Sequence, residues 1–153
     1  MQPDAKSQNK SCVCLENRHI ILIRQDEELI RIPVDNIKLI GEYTTGNGPL
    51  IDDWFIVFMT SPTDWKQISE YTPGMQEMLQ ELGQLLGAQI VCSLFSSTRW
   101  KTSIIWPPSI AEMEMWDVHT KPPETLWQKL RATLGMGNDQ TLVLTQAATS
   151  VFA

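Results

Sequence analysis

The stretch at 72–87, TPGMQEMLQELGQLLG, limits what this chain can fold into more than any other. Met75, Met78, Leu79, Leu82, Leu85 and Leu86 recur at the three- and four-residue steps that stack side chains on one helix face. Gln76, Glu77, Gln80, Glu81 and Gln84 fall on the other face. Thr72 suits an N-cap, Pro73 the first helical position, and Gly87 the left-handed residue that ends the turn. The spacing therefore predicts a helix over 73–86. A helix with one apolar face needs an apolar surface to lie on, and the runs on either side make that surface a sheet.

Those runs alternate with turn signals. HIILIR, QDEE and LIRIPV, from His19 to Val34, read as two strands around a four-residue polar loop. Pro33 has no N–H to donate, which marks a strand end or an edge. IKLIGEYTT follows the turn pair Asp35-Asn36, and TTGNGPLIDD at 44–53 is a loop. WFIVFMT at 54–60 is apolar on both faces, the mark of a central strand. DWKQISEY at 64–71 offers too few apolar positions for a helix face and is expected to pair back on it. Beyond the helix, QIVCSLFSS at 89–97 and WKTSIIW at 100–106 read as a strand pair around a Ser-Thr-Arg turn. At 109–118 Ser109 and Glu112 match a capping box, but Ala111, Met113 and Met115 alternate with Glu112 and Glu114, and the stretch is read as a strand.

Pro122-Pro123 opens a second expected helix over about 123–134, with Leu126, Trp127, Leu130 and Leu134 on one face. The tail at 138–153 carries TLVLTQ, expected to add one strand. Residues 1–11 are polar and aperiodic, read as a disordered leader, and 12–137 as a single domain. Strands, helix, strands, helix in that order give an α+β fold with a mainly antiparallel sheet.

The 153 residues are 42% hydrophobic and 20% charged, a globular composition. The net charge of −6 repels phosphate backbones and anionic headgroups, so neither nucleic acid nor a membrane surface is the expected partner. No apolar run approaches the roughly 18 residues of a spanning helix. The N-terminus lacks an apolar h-region, and three cysteines, an odd number, suggest free thiols; a cytoplasmic protein is expected.

Chemistry-bearing residues are few. Cys12, Cys14 and His19 suggest a metal site, but C-x-C is tighter than the usual zinc spacing and no second ligand pair follows. The plainer reading, two loose thiols near the terminus and one strand cysteine at Cys92, predicts no metal and no cofactor. Asp52 and Asp53 with Glu42 could form an acidic site for acid–base work, although Asp is an ordinary turn residue after a Gly/Pro loop. His119 and Asp117 share a side of an extended chain, but no nucleophile stands in a recognisable setting. The pairs Gly46/Gly48 and Gly135/Gly137 are too short for phosphate-binding loops.

Arg99-Trp100-Lys101 departs from this plain pattern. An aromatic between two cations, at the tip of an expected hairpin, has the composition of a spot for an acidic or aromatic partner. The competing reading tucks Trp100 under the main helix at the start of a strand.

The run of strands followed by a helix, with Arg-Ile-Pro-Val-Asp-Asn-Ile at 31–37 before a further strand, resembles bacterial pleckstrin-homology-like domains over the first half of the chain. That resemblance implies a binding module that would need a basic groove for anionic lipid. The second half departs from it, adding a strand pair and a second helix. The reading that fits best is a non-catalytic protein that works by binding another protein, as adaptor, inhibitor or neutraliser. A small enzyme built on Asp52 and Asp53, or the pleckstrin-like module, is the alternative.

Overall fold

Two tight hairpins open the fold. In a computed structural model that describes residues 11–46, 52–95, 97–120, 126 and 140–153, β1 (Ser11–Glu16), β2 (His19–Arg24) and β3 (Glu27–Pro33) form an antiparallel sheet in chain order. Each loop has two residues, Asn17-Arg18 and Gln25-Asp26, and all four have positive φ, from 49° to 64°. Such turns match the twist of the strands they join, and Asn and Asp tolerate the left-handed backbone better than most residues. The second loop is two residues shorter than the sequence suggests, because Glu27 and Glu28 already belong to β3.

The expectation of a loose leader needs correcting at its end. Residues 1–10 lie outside the described residues, but Ser11 starts β1, and Cys12 and Cys14 sit in its ladder opposite Ile23 and Ile21. Val13 and Leu15 alternate with the thiols and face the core, which holds the strand in register.

A second antiparallel sheet has the order β6-β5-β4-β7, from β4 (Leu39–Thr44), β5 (Trp54–Met59), β6 (Trp65–Ser69) and β7 (Lys101–Trp106). Its two faces carry separate cores. Ile56 and Phe58 of β5 pack with Val13, Ile20, Met78 and Leu82 on one side. Val57 and Met59 pack with Leu39, Ile104, Met115 and Trp116 on the other. All four β5 residues are fully buried, as expected of a strand apolar on both faces.

The predicted helix is α1 (Met75–Leu86), and Met75, Met78, Leu79 and Leu82 form its buried face. Leu85 stands off this stripe at 40% exposed. The N-cap is Gly74 rather than Thr72, with φ of 88°. Val13 N–H donates to Pro73 O at 2.9 Å, and a Cβ at Gly74 would run into Val13 O. Glycine thus lets the helix entry pass against the β1 backbone and take a left-handed turn. Gly87, φ 66°, ends the helix as expected.

Residues 89–95 form no strand, contrary to their alternation, and β7 pairs with β4 instead. The expected strand at 109–118 begins only at Trp116. Before it come a 3₁₀ turn, Pro108–Ile110, and Glu112 at φ 68°. Glu112 N–H donates to Ile104 O at 2.8 Å, and Ile104 N–H to Met113 O at 2.7 Å, so this turn covers the edge of β7. β8 (Trp116–Thr120) and β9 (Gln140–Leu144) make an antiparallel pair, so the tail does contribute a strand. α2 (Gln146–Ser150) follows, capped by Thr145, whose Oγ1 accepts from Ala148 N–H at 3.2 Å. Apart from Leu126, the second helix expected at 123–134 lies outside the described residues. The class is α+β with antiparallel sheets.

Candidate functional site

The strand register builds an aromatic band on the face of the four-stranded sheet that looks away from α1. Tyr43 of β4 lies opposite Phe55 of β5, and their rings stack with centroids 5.2 Å apart. Trp100 meets the same tyrosine at 5.4 Å and Trp116 approaches it edge-on at 5.7 Å. Trp65 of β6 then packs on Trp116 at 5.2 Å. Trp116 is buried, whereas Trp65 and Trp100, at the two ends, are 37% and 38% exposed. The Tyr43 hydroxyl donates to Gln67 Oε1 at 2.6 Å. Burial pushes its pKa up, and the bond to Gln67 acts the other way.

Within Arg99-Trp100-Lys101 the three side chains do not share one direction. Thr44 Oγ1 donates to Arg99 O at 2.7 Å and Ser97 Oγ donates to it at 3.1 Å, which fixes the chain just before β7. Trp100 packs on Tyr43, on the sheet face opposite α1, and not under the helix. Lys101 is paired with Thr44 one position further on, so it belongs to the alternate face of the ladder. Arg99 and Lys101 are exposed and join no ion pair among the described residues. Arg18, Arg31 and Lys66 pair with Asp35, Glu28 and Asp64.

Glu42 has a different role from the acidic site suggested by sequence. It is fully buried on β4, and its carboxylate accepts from Trp54 Nε1–H at 2.9 Å, Ser93 N–H at 2.7 Å, Ser93 Oγ–H at 2.9 Å and Leu94 N–H at 3.4 Å. A buried carboxylate is tolerated when donors surround it. Here it takes the place of a neighbouring strand for residues 93–94. An acid inside the apolar run Leu-Ile-Gly-Glu-Tyr was the one sequence signal for this. Cys92, packed beside it, has its thiol pKa pushed up to about 12, first by burial and then by the charges of Glu42 and Glu70.

Asp53 accepts from the Tyr71 hydroxyl at 2.8 Å, a bond that raises the Tyr71 pKa. Asp52 is exposed and makes no hydrogen bond or ion pair among the described residues. His119 and Asp117 share one side of β8, both exposed, and no hydrogen bond joins them. No three His, Cys, Asp or Glu side chains come together to hold a metal among the described residues. A groove of about 790 Å³ runs along α1, between Gln76, Gln80, Gln84 and the chain at Gln89–Val91, with Glu77 its one charged side chain. No described helix is long and apolar enough to cross a membrane. No protein-family model, curated protein or solved structure matches the chain.

Proposed function

We propose that this chain works by binding another protein, without catalysis, and that the aromatic band is the surface it uses. One observation carries the reading: two tryptophans at the ends of a continuous set of five rings are each more than a third exposed. Tryptophan offers a large contact area at little cost in side-chain entropy, and aromatic anchors dominate the energetics of protein interfaces. Arg99, exposed and outside the ion pairs of the described residues, precedes Trp100 in the chain and suits an acidic partner segment, whereas Lys101 belongs to the opposite face of the ladder. The carboxylates that suggested an enzyme mostly have structural partners: Glu42 holds the chain at 93–94 and Asp53 holds Tyr71.

The test compares the immobilised full chain with a Trp65→Ala, Trp100→Ala double variant in extract of the native host. A protein retained by the parent chain and lost by a still-folded double variant, with retention that weakens as salt rises, is the expected result. Equal retention by the double variant would refute the assignment of this face.

A further inference from the structure

A cavity of about 350 Å³ opens between the two sheets and reaches Phe55 and Gln67, the stacking and hydrogen-bond partners of Tyr43. One wall comes from the first sheet, with Ser11, Leu22 and Arg24, and the other from Asp52, Ile68 and the turn at Tyr71–Pro73. The volume is at the small end of the range for ligand pockets, about 300–1,000 Å³.

Two opposite charges line it, Arg24 on one wall and Asp52 on the other. Ser11 and Arg24 are paired across β1 and β2, in the same alternation as Val13 and Leu22, so both belong to the inward face of their sheet. Arg24 Nε–H donates to Ser11 Oγ at 3.1 Å, which orients the guanidinium and leaves its terminal N–H groups without a bond among the described residues. Asp52 lines the same space from the chain just before β5. The two opposite charges do not pair with each other, since no ion pair joins them within 4.0 Å. Leu22 and Ile68, both buried, supply an apolar wall, and Tyr71 brings a hydroxyl held by Asp53.

We infer that this cavity binds a small zwitterion with an aliphatic body, its carboxylate on Arg24 and its ammonium on Asp52. A guanidinium fork matches a carboxylate in two parallel hydrogen bonds, and an exposed aspartate matches an ammonium group. A free α-amino acid and a short peptide both carry this chemistry, the peptide with its charges further apart.

The test is an amide NMR titration of the full chain with L-leucine at millimolar concentrations, beside N-acetyl-L-leucine, L-leucine amide and leucyl-leucine. Saturable shifts at Arg24, Thr72 and their neighbours are expected with leucine, and binding about tenfold or more weaker when either charge is masked. Tighter binding of the dipeptide would assign the site to peptide ends; tighter binding of leucine would assign it to the free amino acid. Arg24→Met and Asp52→Asn should each weaken the preferred ligand by about tenfold or more, with the unfolding midpoint unchanged because both side chains are exposed. The inference is overturned if neither zwitterion gives saturable shifts, if the masked compounds bind equally well, or if both variants keep parental affinity.

Discussion

Glu42 accepts the backbone N–H and the hydroxyl of Ser93, 51 residues further along the chain, at 2.7 and 2.9 Å. Through this one carboxylate an irregular segment is fixed across a fully formed sheet. Glu42→Ala would leave the donors of Ser93, Leu94 and Trp54 without their acceptor. Each orphaned donor that stays buried costs about 1–3 kcal/mol, so a loss of about 3 kcal/mol or more is expected in urea unfolding. Glu42→Gln, which keeps an acceptor oxygen, should lose less. Limited proteolysis of the alanine variant should show new cleavage within 88–95.

Cys92 and the two β1 cysteines should separate by reactivity. The thiolate is the reactive form, and a pKa of about 12 leaves roughly one Cys92 in ten thousand ionised at about pH 8. Ellman's reagent should label exposed Cys12 first, then Cys14, whose pKa is raised chiefly by burial, and Cys92 only on unfolding. Because the folded-state pKa of Cys92 is raised, its stabilising contribution is intact below the ordinary thiol value of 9.0. It is lost as pH climbs from there toward about 12. Cys92→Ser should flatten that part of the stability profile.

The entry to α1 should tolerate no side chain. At Gly74 the left-handed backbone alone penalises any other residue by about 1–3 kcal/mol, and a Cβ would also meet the Val13 carbonyl. Gly74→Ala should therefore destabilise by more than that strain. Leu82→Ala removes a fully buried side chain from the middle of the same helix and should cost about 2–5 kcal/mol. Equilibrium urea titration of both variants checks the docking of α1 on β1 and on the sheet.

The fold is legible in the sequence where the pattern is local. The 73–86 helix follows from leucine and methionine spacing, and β5 follows from an uninterrupted apolar run. Where it is not legible the cause is physical: the partner lies far away in the chain. Residues 89–95 alternate like a strand, yet the N–H groups of Ser93 and Leu94 go to the Glu42 side chain, 51 and 52 positions earlier, and no local pattern reveals that. β1 was missed because two cysteines among polar residues resemble a loose terminus, although Val13 and Leu15 alternate with them and Asn17 begins a tight turn. The candidate surface was half legible. Trp100 was singled out by its neighbours in sequence, but its working neighbours, Tyr43, Phe55, Trp116 and Trp65, are assembled only by strand register.

That assembly also separates buried rings from exposed ones. Trp116 is 6% exposed and touches both Tyr43 and Trp65, so Trp116→Ala should cost about 3–5 kcal/mol, as for other buried aromatic truncations. Trp100 is 38% exposed and packs on Tyr43 alone among the described rings. An aromatic pair contributes about 0.5–1.5 kcal/mol beyond the area it buries, so Trp100→Ala should fall between surface and core, at about 1–2 kcal/mol. Trp65→Ala should behave in the same way, since its ring rests on Trp116 and is as exposed. Unfolding free energies of the three variants, measured beside retention of the host partner, give the decisive comparison. Partner loss in the Trp65 and Trp100 variants that exceeds their modest loss of stability supports a binding face. A Trp100→Ala cost equal to that of Trp116→Ala, with the partner retained, would make the whole band a second core.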